Sequence, residues 1–231
     1  MKVPPVTSLR QTDTHRLIPS QYTSTGETVL ARIAENEQHL KDLADLDRAT
    51  NESTWAESNR LPGIGSHELV FGVPNSRIIN ASFIHAHPLG SRFNSSDRGA
   101  WYAGFELETS QAEIIFHKTQ EYAEINRFND TVYYNDYLAD FSGQFHDIRS
   151  SADFVDCLDP VSYVTSQRLA EELLTAMALG IVYPSVRRLG GTCIACFRPP
   201  AVSNVRKHDR FSFTWDGSPV PEVKCSTINV F

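Results

Sequence analysis

Gly90-Ser91-Arg92-Phe93-Asn94, followed by Trp101-Tyr102-Ala103-Gly104 and then Ser110-Gln111-Ala112-Glu113, is the stretch on which the reading of this chain turns. It sets a guanidinium, a phenol and a carboxylate on a loop, a strand and a helix start in close succession. Small residues before Arg92 leave the backbone open to a ligand, and a guanidinium there offers paired, charge-assisted hydrogen bonds to an anion. A surface arginine paired with Asp97 or Glu106 fits the same position. Asn94 reads two ways as well, since Asn94-Ser95-Ser96-Asp97 is also good turn chemistry. Trp101 and Tyr102 must face opposite sides of a sheet, so that one is core while the other can line a pocket. Ser110 and Glu113 have capping-box spacing, and the carboxylate either folds back onto the helix N-terminus or stands beside it, kept ionised by the helix dipole.

Outward from this stretch the texture is short apolar runs separated by turns. Leu69-Val70-Phe71, Arg77-Ile78-Ile79-Asn80, Ala100 to Ala103 and Thr131-Val132-Tyr133-Tyr134 read as strands, and Ser110 to about Tyr122 as a helix. A second helix is expected from Tyr163 to Leu179, with Leu169, Leu173, Leu174 and Met177 on one face and Gly180 at its stop. Ile181-Val182-Tyr183 and Thr192 to Phe197 follow as strands around a Gly190-Gly191 turn, and Phe211 to Trp215 as a last strand before a tail that pairs at a sheet edge. Strands and helices mix without βαβ alternation, which makes the fold class α+β.

Residues 1 to about 21 read as an arm or extended segment. From Ser24-Thr25-Gly26-Glu27, Val29, Leu30, Ile33, Leu40, Leu43 and Leu46 mark a long amphipathic helix to about Arg48, and the polar Asn51 to Gly65 reads as a connection. The expected division is therefore 1–65 as arm and helical extension and 66–231 as the main domain with its C-terminal strand and tail.

With 231 residues, 41% hydrophobic and 21% charged, the chain has a soluble composition with room for one sizeable core. Its formal net charge of -7 argues against direct nucleic-acid binding. The start lacks the apolar core of a signal peptide and no run reaches membrane-spanning length, so a cytoplasmic protein without a membrane partner is expected. Cys193 and Cys196 share a Cys-x-x-Cys spacing but fall in an apolar strand, where an offset of three sends them to opposite faces; buried thiols are expected, not a metal or redox site. His85 and His87 find no third ligand with recognisable spacing, and no metal is expected. Ser185 has neither a nucleophile elbow around it nor a histidine nearby in sequence.

Two blocks together resemble the RES domain family, which is named for its Arg, Glu and Ser and known for consuming NAD. The first is the opening stretch. The second is Ser166-Gln167-Arg168-Leu169-Ala170, then Gly180-Ile181-Val182-Tyr183-Pro184-Ser185-Val186-Arg187, a glycine turn, and Ala195-Cys196-Phe197-Arg198-Pro199. The resemblance runs from about Asn80 to Val202. It implies an ADP-ribosyltransferase-like fold, a mixed or antiparallel split sheet with flanking helices, and NAD held in a cleft as substrate.

Carried over residue by residue, the resemblance implies that Arg92 binds the NAD phosphates with Asn94 beside it. Tyr102 would contact the nicotinamide end, Glu113 would stabilise positive charge on the ribose, and Ser185 would complete the pocket. The implied activity is that of a toxin that cleaves the nicotinamide–ribose bond of NAD with water or phosphate as acceptor. Transfer of ADP-ribose to a protein or small molecule, and a catalytically silent nucleotide- or partner-binding module, are the alternatives. A helix-turn-helix antitoxin and a homo-oligomer are the protein partners left open. Two features depart from the compact toxins: Phe93 stands where tryptophan is usual, and the leader of nearly eighty residues is extra.

Overall fold

The computed structural model describes residues 2–23 and 63–226; the long helix expected from Ser24 to Arg48 and nearly all of the connection after it lie outside the described residues. The described chain runs β1 (Val6–Pro19), α1 (Ser76–Ile84), β2 (Trp101–Gly104), α2 (Leu107–Glu124), β3 (Asn129–Asp147), α3 (Val164–Thr175), β4 (Gly180–Pro184), β5 (Thr192–Cys196), β6 (Ser203–Asp216) and β7 (Glu222–Ser226), joined by loops and short 3-10 turns. The fold is α+β, as expected. The sheet order is β1-β2-β5-β4-β3-β6-β7, with β1 also paired to β3.

The 19-residue β3 organises this sheet. One edge pairs antiparallel with β1, from Val6↔His146 to Pro19↔Tyr134. The other edge pairs with β6 from Asn129↔Asp216 to Asp140↔Ser203, then with β4 in parallel at His146↔Ile181 and Asp147↔Val182. The sheet splits where this edge passes from β6 to β4. On the β4 side, β1, β2, β5, β4 and β3 close into a ring, β1 meeting β2 through His15↔Gly104. Such closure needs sharply bent strands, and bulges supply the bend: register shifts fall at Gln11/Thr14 in β1 and at Asn135/Tyr137 and Leu138/Asp140 in β3.

Alternation along β4 and β5 feeds two cores. Val182, Ile194 and Cys196 join Trp101, Phe141, Phe145 and α1's Ile79 and Phe83 on one face. Ile181, Tyr183, Cys193 and Ala195 meet α3's Leu169 and Leu173, with Phe93, on the other. A third cluster packs Phe211, Phe213 and Trp215 of β6 with Tyr134 and with Tyr122 of α2. Trp101 is fully buried while Tyr102 packs at the margin of the second core, the opposite-face arrangement expected of consecutive strand residues.

Several expectations are corrected. Arg77–Asn80 is helix, not strand: Ser76, Ile79, Asn80 and Phe83 are the buried residues of α1, a helical spacing. Leu69–Phe71 is not a strand either, because the Asn80 side chain takes both backbone groups of Val70, accepting from its N–H at 3.0 Å and donating to its carbonyl at 2.8 Å. The N-terminal segment read as an arm or extended stretch is extended, as expected, and forms β1, a full member of the sheet. The runs at Thr131–Tyr134 and Phe211–Trp215 are parts of much longer strands. Residues beyond the last core run pair as β7 on β6, as expected.

Glu68 ties the loop ahead of α1 to the rest of the molecule, meeting Arg98 at 2.9 Å and Arg198 at 2.8 Å. Burial alone would raise its pKa, but hydrogen bonds from Arg98, the Gly65 N–H and Arg198 outweigh it and hold the carboxyl at about 2. A pKa depressed on folding gives stability that is complete above the ordinary value of 4.5 and lost as pH falls towards 2. Urea unfolding midpoints should fall across that window in the wild type, and Glu68→Gln should be less stable at neutral pH with a flatter acid dependence.

Candidate active site

Arg92 is delivered by a tight turn. Gly90, at φ +71°, sits where a side chain would run into the Asn94 carbonyl. The Ser91 N–H donates to Asn94 O at 2.9 Å, and Gln167 of α3 donates to Leu89 O at 3.1 Å and Ser91 O at 3.0 Å. The Tyr102 hydroxyl accepts from the Phe93 N–H at 2.9 Å and donates to Asn94 Oδ1 at 2.8 Å, tying the turn to β2. Burial raises the phenol's pKa, so it remains a proton donor. Arg92 itself is buried; Nη1 donates to Asp159 O at 2.7 Å and Cys157 O at 3.2 Å, and its guanidinium lies 4.7 Å over the Tyr163 ring. The pairing with Asp97 or Glu106 is not formed. Glu106 is engaged instead by the Thr109 hydroxyl at 2.5 Å, by Thr192 N–H at 3.1 Å and by Arg188 at 3.5 Å.

Glu113 is not in a capping box. Helix α2 begins at Leu107 with Glu106 at its N-cap, so Ser110 is already inside the helix and Glu113 lies in its second turn, past the reach of the terminal dipole. Ser110 Oγ donates to His15 O at 2.6 Å and accepts from Gly104 N–H at 3.0 Å, pinning α2 to β1 and β2. Burial pushes the Glu113 carboxyl above the ordinary value, opposed by the charge of Arg187, the Ser185 hydrogen bond and the charge of Arg92. The expectation that a helix terminus keeps it ionised is therefore replaced by a balance of burial against two guanidinium groups and a hydroxyl.

Ser185 meets Glu113 directly. Its Oγ accepts from the N–H groups of Arg187 and Arg188, both at 3.1 Å, and donates to Glu113 Oε1 at 3.2 Å. With backbone donors on its lone pairs, the hydroxyl has its one proton aimed at the carboxylate. Glu113 Oε2 lies 3.9 Å from His117 Nε2, one helical turn on, and burial together with Arg187 holds that imidazole's pKa below its ordinary value. Behind the site, half-buried Arg16 of β1 donates to Tyr102 O at 3.0 Å from over the Trp101 ring, its pKa lowered by desolvation to about 10.

Hydrogen bonds thus join Arg92's turn, Asn94 and Tyr102 into one group and Glu113 with Ser185 into another, and the charge of Arg92 acts on both. The RES domain model matches residues 69–216, which hold all five. The chain belongs to the RES domain family. No curated protein matches it. Among solved structures, it is similar to a chain in the crystal structure of the M. tuberculosis MbcT–MbcA toxin–antitoxin complex. That likeness has 10% sequence identity and a TM-score of 0.47, covering 90% of this chain and 87% of that one.

The RES domain region is broader than the two blocks read from sequence, taking in α1 at one end and β6 at the other. Arg187, His117 and Tyr163 are site neighbours that sequence reasoning did not single out. The signals were modest: Arg187 is two residues from Ser185, and His117 is four from Glu113 on one helix face. Cys193 and Cys196 lie in opposite cores, each thiol pushed up to about 12 by burial. Among the described residues no group of three or more His, Cys, Asp or Glu could hold a metal, and no helix is long and apolar enough to cross a membrane.

Removing the Ser185 hydroxyl takes away a hydrogen bond that favours the ionised carboxylate. Ser185→Ala should therefore raise the Glu113 pKa further, seen as an upward shift of its side-chain carboxyl titration by NMR, with Glu68 unmoved as internal control.

Proposed function

We propose that this RES domain consumes NAD by cleaving the bond between nicotinamide and ribose. The observation that carries the reading is the Ser185–Glu113 hydrogen bond, made beside two guanidinium groups whose charges act on the same carboxylate. A carboxylate oriented by a fixed hydroxyl is suited to stabilise a ribose that gains positive charge as the nicotinamide leaves. In this scheme Arg92 grips the substrate's phosphates, and Tyr102 with Asn94 shapes the nicotinamide end. Glu113 stands against the oxocarbenium-like carbon, and Ser185 holds Glu113 in place. The glycosidic electron pair departs with neutral nicotinamide. Water, losing a proton, or phosphate then bonds to the anomeric carbon, giving ADP-ribose or its phosphorylated form.

A protein partner in this reading is a separate antitoxin that covers the site. Leu89 and Val161, on the loop before Arg92 and the loop against it, are 82% and 89% exposed, and apolar side chains at a site's rim suit such a cover. The same rim suits a protein acceptor of ADP-ribose, which is the second reading. The substrate pool for either is cytoplasmic NAD.

Purified wild type should release nicotinamide from NAD, and Glu113→Gln should lose about 100-fold or more of that turnover with its fold intact. Mass spectrometry of products with and without phosphate identifies the acceptor; full activity in Glu113→Gln would sink the assignment. Because burial raises the Glu113 pKa and the carboxylate is the working form, turnover should decline on acidification with a midpoint above the ordinary glutamate value of 4.5. A midpoint at or below that value would contradict it.

A further inference from the structure

Two arginines converge on one short loop. Arg92 Nη1 donates to Cys157 O at 3.2 Å and Asp159 O at 2.7 Å, and Arg187 Nη2 donates to Pro160 O at 2.6 Å. Each guanidinium lies against an aromatic ring, Arg92 over Tyr163 at 4.7 Å and Arg187 over Phe116 at 3.3 Å. Arg98, Arg149, Arg188, Arg198 and Arg206 all have a carboxylate in salt-bridge range. Among the described residues, neither Arg92 nor Arg187 has one. The carboxylate of Asp159 on the same loop is turned onto its own backbone, accepting from Val161 N–H and Ser162 N–H, both at 2.7 Å. Arg187 Nε is buried with no acceptor among the described residues.

Both charges act on the single Glu113 carboxylate, which burial pushes towards its neutral form, and main-chain carbonyls offset the two guanidinium groups only through their dipoles. An anion with several oxygens and two charges matches this arrangement better than carbonyls do, since guanidinium forks bind phosphate oxygens in pairs. We propose that Arg187 is a second phosphate-binding side chain, and that Arg92 and Arg187 together seat the two phosphates of a diphosphate ligand in place of the carbonyls of Cys157, Asp159 and Pro160. The proposal rests on the NAD reading only for the identity of the natural ligand. It gives the site a preference for diphosphates over monophosphates, and it makes the 157–160 loop a stand-in that the ligand displaces.

The test is calorimetric titration of the full chain with inorganic pyrophosphate, ADP-ribose and adenosine monophosphate, in wild type, Arg187→Met and Arg187→Lys. Wild type should bind both diphosphates, and ADP-ribose more tightly than adenosine monophosphate. Arg187→Met should weaken ADP-ribose by about tenfold or more while changing adenosine monophosphate by less than about threefold, with Arg187→Lys between. If Arg187→Met does not fold, Arg187→Lys decides, because it keeps the charge and loses the fork. No diphosphate binding by wild type, an ADP-ribose affinity indifferent to Arg187, or an equal loss for both nucleotides overturns the proposal. Diphosphate binding that needs Arg187 without NAD turnover would uphold the seat and end the NAD reading; turnover with Arg187-independent ADP-ribose binding would do the reverse.

Discussion

Because β3 is hydrogen-bonded along one edge to β1 and along the other to β6 and then β4, the remaining elements have few places to go. A strand occupied on both edges cannot be an edge strand, so β1 must lie outside it, and β1's far edge is then available to β2 at His15↔Gly104. That closure carries the site. From β1, the His15 carbonyl receives Ser110 at the start of α2, and Arg16 grips the backbone of Tyr102. The helix bearing Glu113 and the strand bearing Tyr102 are therefore referenced to the same two residues of β1. His15 is held in turn at 2.8 Å from the fully buried Asp136 of β3.

The site is a polar network laid over apolar packing, and its hydrogen bonds are paired from turn to strand, with the buried Nε atoms of Arg187 and Arg16 left out of the pairing among the described residues. Tyr102 satisfies Phe93 and Asn94, Gln167 satisfies Leu89 and Ser91, and Ser185 satisfies two backbone N–H groups and Glu113. Buried networks of this kind specify one geometry because any break strands a polar group away from water, at about 1–3 kcal/mol each. The Phe93 ring, packed 4.8 Å from Tyr183, anchors the Arg92 turn to the strand that leads into Ser185.

What was legible in the sequence was what short-range periodicity encodes. The opposite faces of Trp101 and Tyr102, the separation of Cys193 from Cys196 and the burial of Leu169 and Leu173 on α3 follow from spacing alone, whereas Met177, expected on the same face, lies beyond the helix end at Thr175 and is exposed. The matched pieces of the site were legible through residue types and their order. The helix start was misplaced because Ser110-x-x-Glu113 imitates a cap, whereas the serine's real partners are a carbonyl on β1 and an N–H on β2. Arg77-Ile78-Ile79-Asn80 looked like strand because β-branched residues favour it; tertiary contacts through Ile79, Asn80 and Phe83 override that local preference. β1 was illegible as a strand because its polar residues bond to a partner more than a hundred positions away. Arg187 stood in the second block without a role of its own, since its meaning depends on Pro160 and Phe116, which no local spacing brings near.

The antiparallel ladder between β1 and β3 also has a mechanical consequence. A pull applied ahead of Val6 loads the Val6↔His146 pair first and then each pair in turn, so the ladder unzips and does not resist as a sheared unit. Peeling would reach Thr14, His15 and Arg16 while the contacts among β4, β5 and α3 were still in place. An unfolding motor drawing on the N-terminal side of β1 would therefore release the supports of α2 and β2 before it dismantled the core, leaving a body that is largely folded but has lost the alignment of Glu113 with Tyr102.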